Sequence, residues 1–148
     1  MNTKNFLIGG IVGGVVYFLL GYLFYGVLLA DFFRDHPGTA TNVERGMDQM
    51  VWWSLIAGNL LFGFLLAYIF TKAGISTLSN GLVTGGIVGF LMCASIQLTM
   101  YGTTNIMSKQ GMAAEIVAFT VMSAIVGAVI GALNGMLNRT ATVRSVTV

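Results

Sequence analysis

Few residues in this chain could do chemistry. The segment 31–49 gathers Asp31, Asp35, His36, Glu44 and Asp48. Carboxylates and an imidazole can bind a divalent cation at an open site. His36 is the one histidine of the chain, however, and no His-x-x-x-His or comparable ligand spacing accompanies it. A solvated acidic loop is the reading adopted. Met100, Met107 and Met112 surround a second polar segment; thioethers select Cu(I), but this spacing is irregular and Met also packs well. Asn59, and Gln97 with Ser95 and Thr99, lie inside apolar stretches, where an uncharged polar group seeks a partner. They are read as interhelical glue, with a polar cavity lined by Asn59 and Gln97 as the functional alternative. The sequence has no Gly-x-Ser-x-Gly, no Walker loop, no Ser/His/Asp arrangement and no histidine pair for haem. A non-enzymatic protein without a cofactor or metal is expected.

The composition says what must hold these residues. Of 148 residues, 56% are hydrophobic and 8% charged, against roughly a quarter charged in a soluble domain. Residues 6–30, 51–71 and 73–108 carry no charge at all, and each run exceeds the ~18–20 residues that cross a hydrocarbon core. The chain is read as one transmembrane domain, residues 1–148, with lipid as its solvent. The first stretch is too long for the apolar part of a signal peptide and lacks a convincing cleavage site, so it is taken as a retained helix. No basic stripe marks a nucleic-acid surface. Cys93 is the single cysteine and allows no disulfide within one chain.

Four helices are predicted, at about residues 5–29, 50–71, 80–101 and 114–137, followed by a polar, mobile tail over 138–148. An even number of crossings puts both termini on one side. That side holds Lys4, Lys72, Arg139 and Arg144; the other holds Arg34, Arg45 and Lys109. Lysine and arginine set orientation, and four against three favours cytoplasmic termini. On that topology the Asn138-Arg139-Thr140 sequon faces the cytoplasm and is discounted. Phe24, Tyr25, Phe32, Phe33, Trp52, Trp53 and Tyr101 fall near the outer boundary, as an aromatic belt would. Glu115 falls in the first turn of the fourth helix, where a negative charge favours the dipole.

Small-residue spacing is the strongest physical signal. Ser123, Gly127, Gly131 and Gly135 recur every four residues in the fourth helix; Gly9 and Gly13 do so in the first, Gly85 and Gly89 in the third. Inside lipid, helices associate by close backbone approach, which such spacing permits. Packing within one bundle is the plain reading, and a subunit contact through the fourth-helix stripe the sharper one. Gly9-Gly10-Ile11-Val12-Gly13 recurs as Gly85-Gly86-Ile87-Val88-Gly89, and Tyr25-Gly26 matches Tyr101-Gly102 at the same offset. A tandem two-helix duplication would place its axis along the membrane normal.

The second polar segment reads Tyr101-Gly102-Thr103-Thr104-Asn105, then Gly111-Met112. This resembles uncharacterised bacterial four-helix inner-membrane families with Tyr-x-x-Thr-Asn, a short gap, then Gly-Trp; Met112 stands where they often have Trp. The run 19–26 with Asp31-Phe32-Phe33 is similar to their aromatic first-helix ending, and Glu115 to an acidic position where they more often carry Asp. The resemblance implies a small bacterial inner-membrane protein and carries no activity. In physical terms, Tyr101, Thr104 and Asn105 follow the third span, where Thr and Asn can bond local backbone; they are expected to cap that helix and fix the second loop against the first. The leading functional expectation is a structural or accessory protein that self-associates as a homo-oligomer or docks onto a larger membrane complex. A small-solute channel or carrier and an outer-facing ligand-binding or sensor module are the alternatives.

Overall fold

The computed structural model of the protein describes residues 2–43 and 45–146, with backbone alone for Met47 and residues 141–146. Glu44 lies outside the described residues. In hydrocarbon each backbone N–H and C=O must be satisfied within its own segment, so glycine-rich and β-branched runs that would make poor helices in water are helical here. Helix α1 spans Thr3–Gly21 and continues as a π-helix over Tyr22–Leu28. A short α2 follows at Ala30–Asp35, then α3 at Trp52–Ala73, α4 at Leu78–Thr103 and α5 at Lys109–Val146. Four of these segments are long and apolar enough to cross a membrane: Thr3–Leu28, Trp52–Ala73, Leu78–Thr103 and Lys109–Thr140. The fold is an all-α four-helix bundle, and the protein is a multi-pass membrane protein.

Local chemistry sets the helix ends. The Asn2 side chain accepts from the Lys4 and Asn5 amides at 3.1 and 3.4 Å, a normal N-cap. Gly74 closes α3 in the left-handed conformation, φ 69°, which costs glycine nothing. Thr77 then caps α4 by accepting from Asn80 N at 3.3 Å. Two differences from the sequence expectation concern α5. It begins at Lys109, so Glu115 is in its second turn and the first turn holds no acidic residue. It also continues to Val146 through the segment expected to be a mobile tail. No Gly or Pro interrupts that stretch, and polarity alone does not stop a helix.

The bundle is two close hairpins joined along one seam. Helix α1 lies along α3 and α4 along α5, while α5 also packs on α1 and more lightly on α3. Glycine sets both close approaches. A Cβ added at Gly63 would sit 2.8 Å from the Gly14 Cα, and one at Gly127 would sit 2.9 Å from the Gly85 Cα. The two backbones are in direct contact. The fourth-helix stripe is therefore filled by α4 of the same chain: Gly127 and Gly131 meet Gly81, Gly85 and Thr77, and Gly135 meets Ser76. It is not a face open to another subunit.

The paired Gly-Gly-Ile-Val-Gly segments do different jobs. Gly9 and Gly13 sit where α1 meets two helices at once, against Ala67 and Gly63 of α3 and against Ile130 of α5, whereas Gly85 and Gly89 lie against Gly127 and Ser123 within one hairpin. The glycines that pack alike, Gly10 and Gly14 around Gly63 and Gly81 and Gly85 around Gly127, are not the ones the sequence match aligns. The core at the seam is Tyr17, Leu66, Phe70, Met122, Val126 and Ile130. It is apolar except for the Tyr17 hydroxyl, which bonds Ser123.

Candidate functional site

A cluster of polar contacts gathers at the end of the bundle that carries the two loops. Ser108 organises it. Its hydroxyl accepts from Gly111 N at 3.0 Å, capping α5, and donates to the His36 carbonyl at 2.7 Å. Beside it, Ala40 N donates to the Asn105 carbonyl at 3.0 Å, and Pro37 and Met107 form an isolated antiparallel bridge. Gly38 lies against the Asn105 and Ile106 backbone so closely that a Cβ there would overlap it. The two loops form one cap.

Beneath the cap, α1 changes register. Leu29 N donates to the Phe24 carbonyl at 2.7 Å, an i→i+5 pattern, and π-helical turns are rare and frequent at functional sites. Within this wider turn Tyr25 reaches α5, its hydroxyl donating to Glu115 Oε1 at 2.9 Å. The ring of Phe33 on α2 lies 5.8 Å from that of Tyr25. His36 stacks on Phe32 with ring centroids 4.3 Å apart, and its Nδ1–H donates to the Phe32 carbonyl at 2.9 Å. A cavity of about 200 Å³ lies among these groups, walled by Tyr25, Phe33, His36, Val43 and Met107, with Glu115 in its lining. A second, larger apolar recess, about 570 Å³, is lined by Phe24, Leu28 and Phe32 and by Ala114 and Ala118 of α5.

Other singled-out residues are placed as follows. Thr104 closes α4, its amide and its hydroxyl both donating to the Met100 carbonyl at 2.8 Å. Asn105 holds the first loop through its backbone carbonyl, and Tyr101 is exposed. Asn59 turns its amide back to the Leu55 carbonyl of its own helix at 2.7 Å. It sits on α3, which packs on α1, whereas Gln97 sits half-buried on α4, which packs on α5. Neither lines either cavity above. Asp31 pairs with Arg34 on the exposed face of α2, and among the described residues no group of three or more His, Cys, Asp and Glu could hold a metal. Of the aromatic belt, Trp52, Trp53 and Tyr101 are exposed, but Phe24 and Tyr25 pack against the core.

Sequence reasoning missed Ser108, although a serine just before a helix is a readable start signal. It also missed the Tyr25–Glu115 and Tyr17–Ser123 pairs. At the opposite end, Asn134 Nδ2 donates to the Ile75 carbonyl at 3.1 Å and Asn5 Nδ2 to Asn138 Oδ1 at 2.8 Å. The two chain ends thus share one end of the bundle and the cap occupies the other. Comparison with protein-family models, curated proteins and solved structures finds no match.

Proposed function

We propose that the chain is a non-catalytic accessory membrane protein that associates through the outward face of α3, with a second copy of itself or with a larger membrane complex. One observation carries this reading. The glycines of the hairpin seams are all met by atoms of the same chain, whereas a Cβ at Gly58 of α3 or at Gly21 of α1 would have nothing within 4 Å; of the two, only Gly58 has a second small residue four positions away, since Gly21 is flanked at that spacing by Tyr17 and Tyr25. Ser54, one turn earlier, is exposed beside it. A glycine inside a helix costs about 1 kcal/mol relative to alanine, and in lipid small residues four apart let a second helix approach. The sealed core of Tyr17, Leu66, Phe70, Met122, Val126 and Ile130 argues against a solute path through one copy.

In this proposal the membrane is a bacterial inner membrane and both chain ends are cytoplasmic. Four basic residues on the side of the chain ends, Lys72 among them, against three on the side of the cap favour that direction, and the resemblance to four-helix inner-membrane families favours the setting. The test is Gly58→Leu. The added side chain blocks helix approach, with a loss on the order of 1–3 kcal/mol of association. By mass measurement in mild detergent the species should fall toward the 15.8 kDa chain, with helicity and melting unchanged. An oligomer, or a copurifying partner, that survives Gly58→Leu intact would overturn the reading.

A further inference from the structure

Glu115 is the one carboxylate of the described residues set inside the helical bundle rather than on a loop or on α2. It is half-buried on α5, its Oε1 accepts from Tyr25, and no basic side chain among the described residues pairs with it. His36 lines the same cavity but does not reach it as an ion pair, and the ion pair formed at this end is Asp31 with Arg34 on the outer face of α2. A half-buried carboxylate without a counter-charge carries a desolvation cost. The cavity supplies room beside it. At about 200 Å³ it is smaller than the roughly 300–1,000 Å³ of sites for drug-sized ligands.

The walls say what kind of cation fits. Three aromatic rings, Tyr25, Phe33 and His36, line the space with the carboxylate. An organic ammonium is attracted to aromatic faces and to a carboxylate together, and aromatic cages are the recurring solution for alkylated amines. A metal ion would instead want several oxygen or nitrogen ligands in a fixed geometry, which this lining does not offer. We propose that the capped cavity at the loop end binds a small alkylammonium group, seated against Glu115 and edged by Tyr25, Phe33 and His36. The group could belong to a free solute or to a lipid headgroup. The apolar recess lined by Phe24 and Phe32 would suit an acyl chain in the second case.

The experiment uses the full chain in nanodiscs of phosphatidylglycerol, which carries no ammonium, with choline as the probe and the melting temperature as the readout. Choline should raise the melting temperature with saturation. Glu115→Gln keeps an acceptor for Tyr25 but removes the negative charge that attracts the quaternary ammonium, and should weaken the apparent affinity at least about tenfold. Should that variant fail to fold, Val43→Trp, which enlarges an exposed residue of the cavity lining and leaves Glu115 in place, should abolish the response. In phosphatidylcholine nanodiscs a higher starting melting temperature with no further response to choline identifies the headgroup as the source. A persisting response identifies a free solute. Both outcomes support an ammonium site. No response in either lipid, an equal response in Glu115→Gln or Val43→Trp, or stabilisation by zinc in place of choline would overturn it.

Discussion

Gly127→Leu is expected to open the α4/α5 hairpin. A Cβ at Gly127 meets the Gly81 carbonyl oxygen and stands 2.9 Å from the Gly85 Cα. These are backbone atoms, so no rotamer change makes room and one helix must move bodily off the other. The movement breaks the whole line of contact, since Gly131 against Gly81 and Gly85 against Ser123 depend on the same spacing. In lipid, close contact is itself the source of helix association. Overpacking typically costs about 1–3 kcal/mol, and a backbone clash at the centre of a seam belongs at or above the top of that range. Unfolding of the purified protein by increasing denaturing detergent should begin markedly earlier. Gly127→Ala and Gly86→Ala make the matched comparison: the Cβ at Gly86 lies at an ordinary 3.5 Å from that of Ala124, and its effect should be small, whereas the Cβ at Gly127 already overlaps backbone.

Tyr17→Ala should act differently, separating the two hairpins while leaving each intact. The Tyr17 ring is 2% exposed and spans the seam, with Phe62 of α3 at 4.9 Å and Phe119 of α5 at 5.7 Å. Removing it leaves a void among Leu66, Met122 and Val126. Aromatic-to-alanine changes in cores cost about 3–5 kcal/mol. Here the lower end applies, because lipid rather than water is the alternative surrounding for the lost apolar atoms and the loss is mainly dispersion. Ser123 keeps its bond to the Phe119 carbonyl at 2.7 Å, so its hydroxyl is not orphaned. Tyr17→Phe should therefore cost only about 1 kcal/mol. Hydrogen exchange should show protection lost along the α1/α5 seam in Tyr17→Ala, with the α4/α5 glycine seam still protected. Uniform loss across all four helices would contradict the two-hairpin description.

The four helices were legible because hydrocarbon imposes a length and excludes charge, and those two quantities are written directly into residue type. Which helix pairs with which was not. Gly-x-x-x-Gly spacing says that a backbone can come close, but Gly131 facing Gly81 and Gly58 facing nothing look alike in sequence. The ends of α5 were misplaced for local reasons. Ser108 begins the helix ahead of Gly111 and Met112, which read as loop, and the polar run after Leu137 stays helical without a breaker. The site was legible only in part. The stretch 101–105 pointed to a junction between loops, yet much of the junction is made by the Asn105 backbone and by Ser108. The Tyr25–Glu115 bond depends on a π-helical register at Tyr22–Leu28, and none of the periodicities used to read the chain announces that register.

The helices cross a bilayer with the chain ends at one face and the cap at the other. Labelling with a membrane-impermeant maleimide in sealed, oriented vesicles tests it most directly, since Cys93 is buried and gives little background. Thr3→Cys and Arg139→Cys should react from the same side, and Thr41→Cys from the opposite one. Reaction of Thr3→Cys and Arg139→Cys from opposite sides, or of Thr41→Cys from the side of the chain ends, would contradict the account.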